Sequence, residues 1–131
     1  MKMELQEQLF KRYPELFKQK DLPMSQTCMC WGIETDDGWY DLIDTMCELL
    51  TLYCDRHGLE VQFTQIKSKY GTLTADTTGN EGRVERIIDM VECMSEHTCE
   101  KCGEWGNTYD DGWVRTLCPK HKKERELKVD D

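Results

Sequence analysis

Two close pairs of soft ligands stand in the C-terminal third of the chain. They are Cys99-x2-Cys102 and, fifteen residues later, Cys118-x2-His121. Three thiols and an imidazole at this spacing can converge on one tetrahedral ion, and the ligand set suits Zn2+. Iron also enters sulfur-rich sites, but a histidine ligand and finger-like spacing favour zinc. Four protein ligands close the coordination sphere, so such a site is structural and has no position for a reacting water. Gly103 follows the first pair, as a tight metal-binding knuckle requires, and Asp110-Asp111-Gly112-Trp113 between the pairs is a hairpin-turn sequence. The second pair opens the helix-forming stretch CPKHKKERELK. Knuckle, hairpin and ligand-bearing helix in that order predict a treble-clef or zinc-ribbon-like finger.

A second, less patterned set is Cys28-x-Cys30 with Cys54-x2-His57. Cys54 and His57 share one face at the end of a helix and could chelate together. The competing reading makes Cys28, Cys30, Cys47 and Cys54 small thiols packed beside the core, and Cys93 a core or boundary residue. Asp37, Asp41, Asp44, Glu48 and Asp55 fall in one sector of the same helix. Such a row is a solvated face, a surface for a basic partner, or a Mg2+ site for phosphoryl chemistry, which carboxylates along one exposed helix do not converge to form. Lys67-Ser68-Lys69-Tyr70-Gly71 offers cations and an aromatic ring to phosphate or a base. His97, two residues before the knuckle, caps carbonyls or supports a ligand. No Gly-rich phosphate loop, nucleophile elbow or HExxH stretch is present, so the expectation is a protein that is not an enzyme.

The elements that position these residues follow from apolar periodicity. Residues 3–13 form a short helix on Leu5, Leu9, Phe10 and Tyr13, stopped by Pro14. Residues 18–35 read as irregular. Residues 37–57 are the clearest helix, with Trp39, Leu42, Ile43, Met46, Leu49, Leu50 and Tyr53 as its stripe, Asp36 or Asp37 as cap and Gly58 as stop. Residues 59–67 alternate as a strand, with Leu59, Val61, Phe63 and Gln65 on one side; Ser68–Gly71 turns the chain and Thr72–Thr77 returns it. Residues 81–97 form the next helix on Val84, Ile87, Ile88, Val91 and Met94. The expected fold is α+β: two amphipathic helices packed with a β-hairpin over residues 1–98, and the finger, residues 99–131, packed on that core. The expected core is Trp39, Leu42, Ile43, Leu49, Val61, Phe63, Ile87, Ile88 and Val91.

The chain repeats one phrase. Trp31-Gly32-x3-Asp36-Asp37-Gly38-Trp39 recurs 74 residues later as Trp105-Gly106-x3-Asp110-Asp111-Gly112-Trp113. It is either a degenerate duplication or shared turn chemistry with tryptophan as packing anchor.

Net charge is −9, the wrong sign for a sequence-independent nucleic-acid binder. Residues 35–58 carry six acids against one arginine, and only the tail from Cys118, with Lys120, Lys122, Lys123, Arg125 and Lys128, leans positive. No apolar run approaches the ~18 residues of a membrane span, and the N-terminus lacks the apolar stretch of a secretory signal. A cytosolic setting is expected, with its cysteines reduced.

Five segments, Tyr13-Pro14-Glu15-Leu16-Phe17, Cys28-Met29-Cys30-Trp31-Gly32-Ile33-Glu34, Gly38-Trp39-Tyr40-Asp41-Leu42-Ile43, Lys67-x-Lys69-Tyr70-Gly71-x-Leu73 and Cys99/Cys102 to Gly112-Trp113-x2-Thr116-Leu117-Cys118, resemble a family of small proteins of tailed bacteriophages and prophages with a C-terminal finger of this kind. The resemblance implies a phage or prophage origin, the cytoplasm of a bacterial host and an accessory role. Together with the acidic charge it leads to an expected partner that is a host or phage protein with a basic surface, for example a host nucleic-acid enzyme or defence protein. The alternative is a nucleic-acid-binding zinc finger that uses the basic tail.

Overall fold

The computed structural model describes residues 1–79 and 81–129, with side chains to Leu127. In chain order the elements are α1 (Met3–Arg12), β1 (Ile33–Glu34), α2 (Tyr40–His57), β2 (Phe63–Lys69), β3 (Thr72–Thr77), α3 (Gly82–Ser95), β4 (Asn107–Tyr109), β5 (Arg115–Leu117) and α4 (Pro119–Val129). The fold is α+β. One sheet has the order β1-β2-β3, and β4 and β5 form a separate two-stranded ladder.

Local sequence explains the helix ends. Gly58 closes α2 at φ 64°, a left-handed position that an L side chain resists. Glu81 caps α3, its carboxylate accepting from the backbone N–H groups of Arg83 and Val84 at 3.0 Å each. That contact holds the Glu81 carboxyl below the usual carboxylate range, chiefly through the Val84 N–H. The expected aspartate cap of α2 is absent. Residues 37–39 form a 3-10 turn that leads into the helix without a side-chain cap bond, and both aspartates are used elsewhere. Asp37 accepts from the Lys2 N–H at 2.9 Å, and Asp36 binds Arg115.

The hairpin departs from the alternating reading. β2 starts at Phe63, not Leu59, and an irregularity between Phe63 and Gln65 shifts its register against β3. Phe63 and Val61 face the core as expected, but beyond the bulge Ile66 is buried and Gln65 is not. One inserted residue flips the inward set. The turn is Tyr70-Gly71, both with positive φ, and Tyr70 at 52° is the one such non-glycine residue among those described. The segment expected to be irregular contributes β1, which pairs parallel to β2 with Ile33 opposite Ile66.

The main core gathers Leu9, Phe17, Met29, Ile33, Trp39, Ile43, Met46, Leu50, Phe63, Ile66, Leu73, Val84, Ile88 and Val91. Leu42 and Ile87 pack at its margin. Leu49 does not belong to it. It lies on the outward side of α2 and is 41% exposed. Met94 and Cys93 are likewise exposed on α3, and Cys47 and Cys54 are buried thiols. Burial pushes both of these thiols up. A second, smaller cluster of Cys99, Leu117 and Cys118, with Tyr109 against it, is the core of the finger.

Candidate metal centre

The finger is assembled as knuckle, hairpin and helix. After α3 the chain crosses to Cys99, whose N–H donates to the Glu104 carbonyl at 2.8 Å, while the Gly103 N–H donates to the Cys99 carbonyl at 2.9 Å. Gly103 sits at φ 84°, so this turn needs glycine. β4 and β5 then pair antiparallel, Asn107 opposite Leu117. Gly106 passes so close to the Leu117 backbone that a Cβ there would fall under 3.0 Å from it. Cys118 directly follows β5 and His121 stands on the first turn of α4, so hairpin and helix deliver the second ligand pair together.

Cys99, Cys102, Cys118 and His121 are brought together, with one ligand atom from each lying within 4.8 Å of all the others. The His121 Nδ1 lies 3.5 Å from the Cys99 Sγ and 3.2 Å from the Cys118 Sγ, and the Cys102 and Cys118 sulfurs are 3.7 Å apart. A tetrahedron with metal–sulfur bonds of about 2.3 Å has edges of about 3.7–3.8 Å, and a shorter metal–nitrogen bond brings the mixed edges to about 3.5 Å. The residues therefore fit a four-coordinate metal ion. His121 offers Nδ1 and turns Nε2 toward Glu124, 3.8 Å away.

The thiols are tuned unequally. Burial alone would raise Cys118, but the N–H and ring of His121, with the neighbouring thiols, outweigh it and bring the group down to about 7. Cys102 is pushed up to about 11, first by burial, with the nearby sulfurs adding to it and the Glu104 N–H opposing. Crowded thiolates repel, so a cation is what allows all of them to ionise, and its binding releases protons.

The finger is tied to the core through the knuckle. Glu100, only 5% exposed, accepts from the Asp36 N–H at 3.1 Å and from the Ser68 hydroxyl at 3.2 Å, with Arg115 at 3.5 Å. Arg115 also reaches Asp36 at 2.6 Å. The Gly38 N–H donates to the Glu100 carbonyl at 2.7 Å, the Trp39 indole to the Thr98 carbonyl at 2.8 Å, and the Thr116 hydroxyl to the Gly71 carbonyl at 2.6 Å. The first copy of the repeated phrase meets the knuckle here, since Gly38 lies against Gly103 and Glu100. The two copies differ in form: Asp37–Trp39 leads into α2, whereas Asp110–Trp113 joins β4 to β5. Trp39 is buried, and Trp31, Trp105 and Trp113 are exposed, so one of the four packs in the core.

Glu100 and Arg115 are functional neighbours of the ligands that the spacing argument missed. The sequence offers only a Glu between two closely spaced cysteines as a signal, because its burial, and with it the need for a charged partner, comes from the fold.

The other sequence-predicted sites fare differently. Among the described residues, Cys28, Cys30, Cys54 and His57 do not form a group able to hold a metal. Cys54 is packed into the core, Cys30 donates to its own turn at the Thr27 carbonyl, and the His57 ring lies on Tyr53 with centroids 4.4 Å apart. The acidic row divides. Asp44 is held by Arg12 at 2.8 Å and by the Tyr13 hydroxyl at 2.8 Å, and Asp37 by Lys2. Asp41, Glu48 and Asp55 are exposed. In the basic tail, Lys122 and Arg125 both bind Asp111, and Lys122 also binds Glu126. Lys120 and Lys123 are exposed, and the Lys128 side chain lies outside the described residues. His97 bonds the Gly106 carbonyl at 3.3 Å and stacks on Trp105, with ring centroids 4.7 Å apart at 7°. It braces the knuckle without touching a ligand atom.

No family model, curated protein or solved structure matches this chain. Its chemistry is therefore read from its own residues. Among those described, no helix is long and apolar enough to cross a membrane.

Proposed function

We propose that Cys99, Cys102, Cys118 and His121 hold one structural Zn2+, and that the chain is a non-enzymatic accessory protein of a tailed phage or prophage. It works in the cytoplasm of the bacterial host by binding a host or phage protein with a basic surface. Interference with a host nucleic-acid enzyme or defence protein is the concrete form of that activity. The observation that carries the metal reading is the tetrad itself, four ligand atoms within 4.8 Å of one another. Such a set matches zinc with sulfur and nitrogen ligands and closes the sphere against substrate. The phage origin rests on the sequence resemblance of the Cys28–Glu34 and Gly38–Ile43 segments.

The partner reading is supported by charge. A net charge of −9 favours cationic surfaces. Of the tail cations that a nucleic-acid reading needs, Lys122 and Arg125 are already committed to Asp111. Elemental analysis of freshly purified protein tests the metal, and one equivalent of zinc is expected. Gel shifts with DNA and RNA at low and moderate salt, beside capture from host lysate with identification of the bound protein, test the partner. Retarded nucleic acid at moderate salt with no captured protein would replace this reading by the nucleic-acid alternative.

A further inference from the structure

α2 and α3 lie antiparallel. The Trp39 indole at the start of α2 bonds the Thr98 carbonyl just beyond α3, and the Tyr53 hydroxyl near the end of α2 bonds the capping Glu81 at 3.2 Å. The helices bury Ile43, Met46, Leu50, Val84, Ile88 and Val91 beneath them. Their outer side carries large apolar residues among its polar ones. Leu49 and Leu52 on α2 are 41% and 58% exposed, and Met90 and Met94 on α3 are 62% and 53% exposed. Leu42, Tyr53 and Ile87 are half-buried between this outer set and the core. By helical position Leu49 lies on the side of α2 that carries Leu42 and Tyr53, and Met94 on the side of α3 that carries Ile87. Leu49 and Met94 therefore lie along the line where the two helices meet, with Leu52 and Met90 on the outward faces beside them, and together they form an apolar seam.

The edge of the seam along α2 is acidic, while two exposed cations, Arg56 one turn beyond Leu52 and Arg83 beside Tyr53, stand at the end nearest Gly58. Asp41, Glu48 and Asp55 recur every seven residues on the exposed side of α2, about 10 Å apart along the axis. Glu48 and Asp55 stand one turn from Leu52 in either direction. Unlike Asp37 and Asp44, these three make no ion pair among the described residues.

We infer that the α2–α3 seam is a docking groove for an amphipathic helix of another protein, one that carries a leucine-type stripe flanked by Lys or Arg. The inference rests on the protein-binding reading above and names the chemistry of its partner. A seven-residue acidic repeat matches cations two helical turns apart on a helix laid alongside α2, and the apolar seam takes its hydrophobic stripe. Exposed methionines adapt to varied side chains, as such grooves require. The carboxylate rail sets charge preference and speeds encounter.

The test uses zinc-loaded full-length protein with 13C-methyl methionine. The probes are a helical Leu/Lys peptide of about four turns and a Leu/Glu peptide of the same pattern. The Leu/Lys peptide should shift the Met90 and Met94 methyl signals saturably while those of Met3 and Met24, exposed elsewhere, stay in place. Raised salt should weaken binding, and Asp41→Asn/Glu48→Gln/Asp55→Asn should weaken it about tenfold with the melting temperature unchanged. The Leu/Glu peptide should not bind. Equal shifts at Met3 and Met24, equal binding of both peptides, or unaltered affinity in the triple variant would each overturn the docking mode. So would Met90 and Met94 shifts that track protein concentration without peptide, which would mark the seam as a contact between copies of this chain. These outcomes leave the broader partner reading to the lysate capture, so the two fail separately.

Discussion

Gly38→Ala isolates the contact between the metal-binding knuckle and the start of α2. A Cβ at Gly38 would fall under 3.0 Å from the carbonyl oxygens of Cys99 and Glu100. Those atoms are backbone, so relief requires moving either the 3-10 turn at residues 37–39 or the knuckle that holds two ligands. Forcing a methyl group into a packed site costs about 1–3 kcal/mol. Separating the chains also weakens the 2.7 Å bond from the Gly38 N–H to the Glu100 carbonyl, worth about 1 kcal/mol. The smaller conformational freedom of alanine in the unfolded chain returns about 0.4–1 kcal/mol. The expected net loss is about 2 kcal/mol in urea unfolding of the zinc-loaded protein. Zinc affinity, measured by competition with a chromogenic chelator, should fall tenfold or more, as when groups supporting metal ligands are disturbed.

Gly82→Ala is the matched control. Gly82 is the first residue of α3, and a Cβ there meets nothing within 4 Å. The same substitution should therefore stabilise the protein by about 0.4–1 kcal/mol and leave zinc affinity alone. If Gly38→Ala proved as stable as wild type with zinc affinity intact, the knuckle would not be packed against α2 as described. The coupling of finger to core argued above would then be wrong.

Three further substitutions test other parts of the argument. Cys118→Ser leaves three strong ligands. Hydrogen exchange should show lost protection across residues 99–127, and at most in the first turn of α2, with α1, β2 and the rest of α2 still protected, and chelation of wild type should lower its melting temperature. Ile88→Ala removes a side chain only 5% exposed and should cost about 2–5 kcal/mol in chemical unfolding. Glu81, whose folded carboxyl titrates below its ordinary value, adds stability that is present above the ordinary glutamate pKa and is lost as pH falls through the lower folded value. The stability gap between wild type and Glu81→Gln should therefore close on acidification; a gap that widens would contradict the cap.

The ligand tetrad was legible because coordination chemistry constrains spacing directly, and two close pairs separated by a hairpin leave few other arrangements. Most helix positions were legible from apolar period and from Gly58. Failures occurred where a tertiary partner overrode a local rule. Asp36 and Asp37 look like caps, but Arg115 and Lys2 claim them from across the chain. Gln65 fell out of phase because the bulge after Phe63 needs β3 for its definition. β1 is two residues long and exists only as a partner of β2, which no periodicity can reveal. Leu49 belongs to the apolar stripe of α2 by its spacing, but the stripe is wider than the surface that α3 and the sheet cover. Spacing reports which residues are apolar, and only packing decides which are covered.

The route by which the finger joins the core would give the proposed metal a second role. Glu100 lies between two ligands and carries a buried carboxylate whose partners come from three places: the Asp36 N–H, the Ser68 hydroxyl on β2 and Arg115 on β5. A buried charge is tolerable only while those partners are in place. The proposed ion would fix the knuckle, the knuckle holds Glu100, and Glu100 with the Gly38 contact holds the entry to α2. α2 carries both the acidic rail and half of the apolar seam. Losing the metal should therefore act first on the start of α2, where Asp41 stands, and least at Asp55, beyond which Gly58 closes the helix independently. An ion held there, as proposed, would stabilise the finger and would also set the alignment of the surface proposed for partner binding.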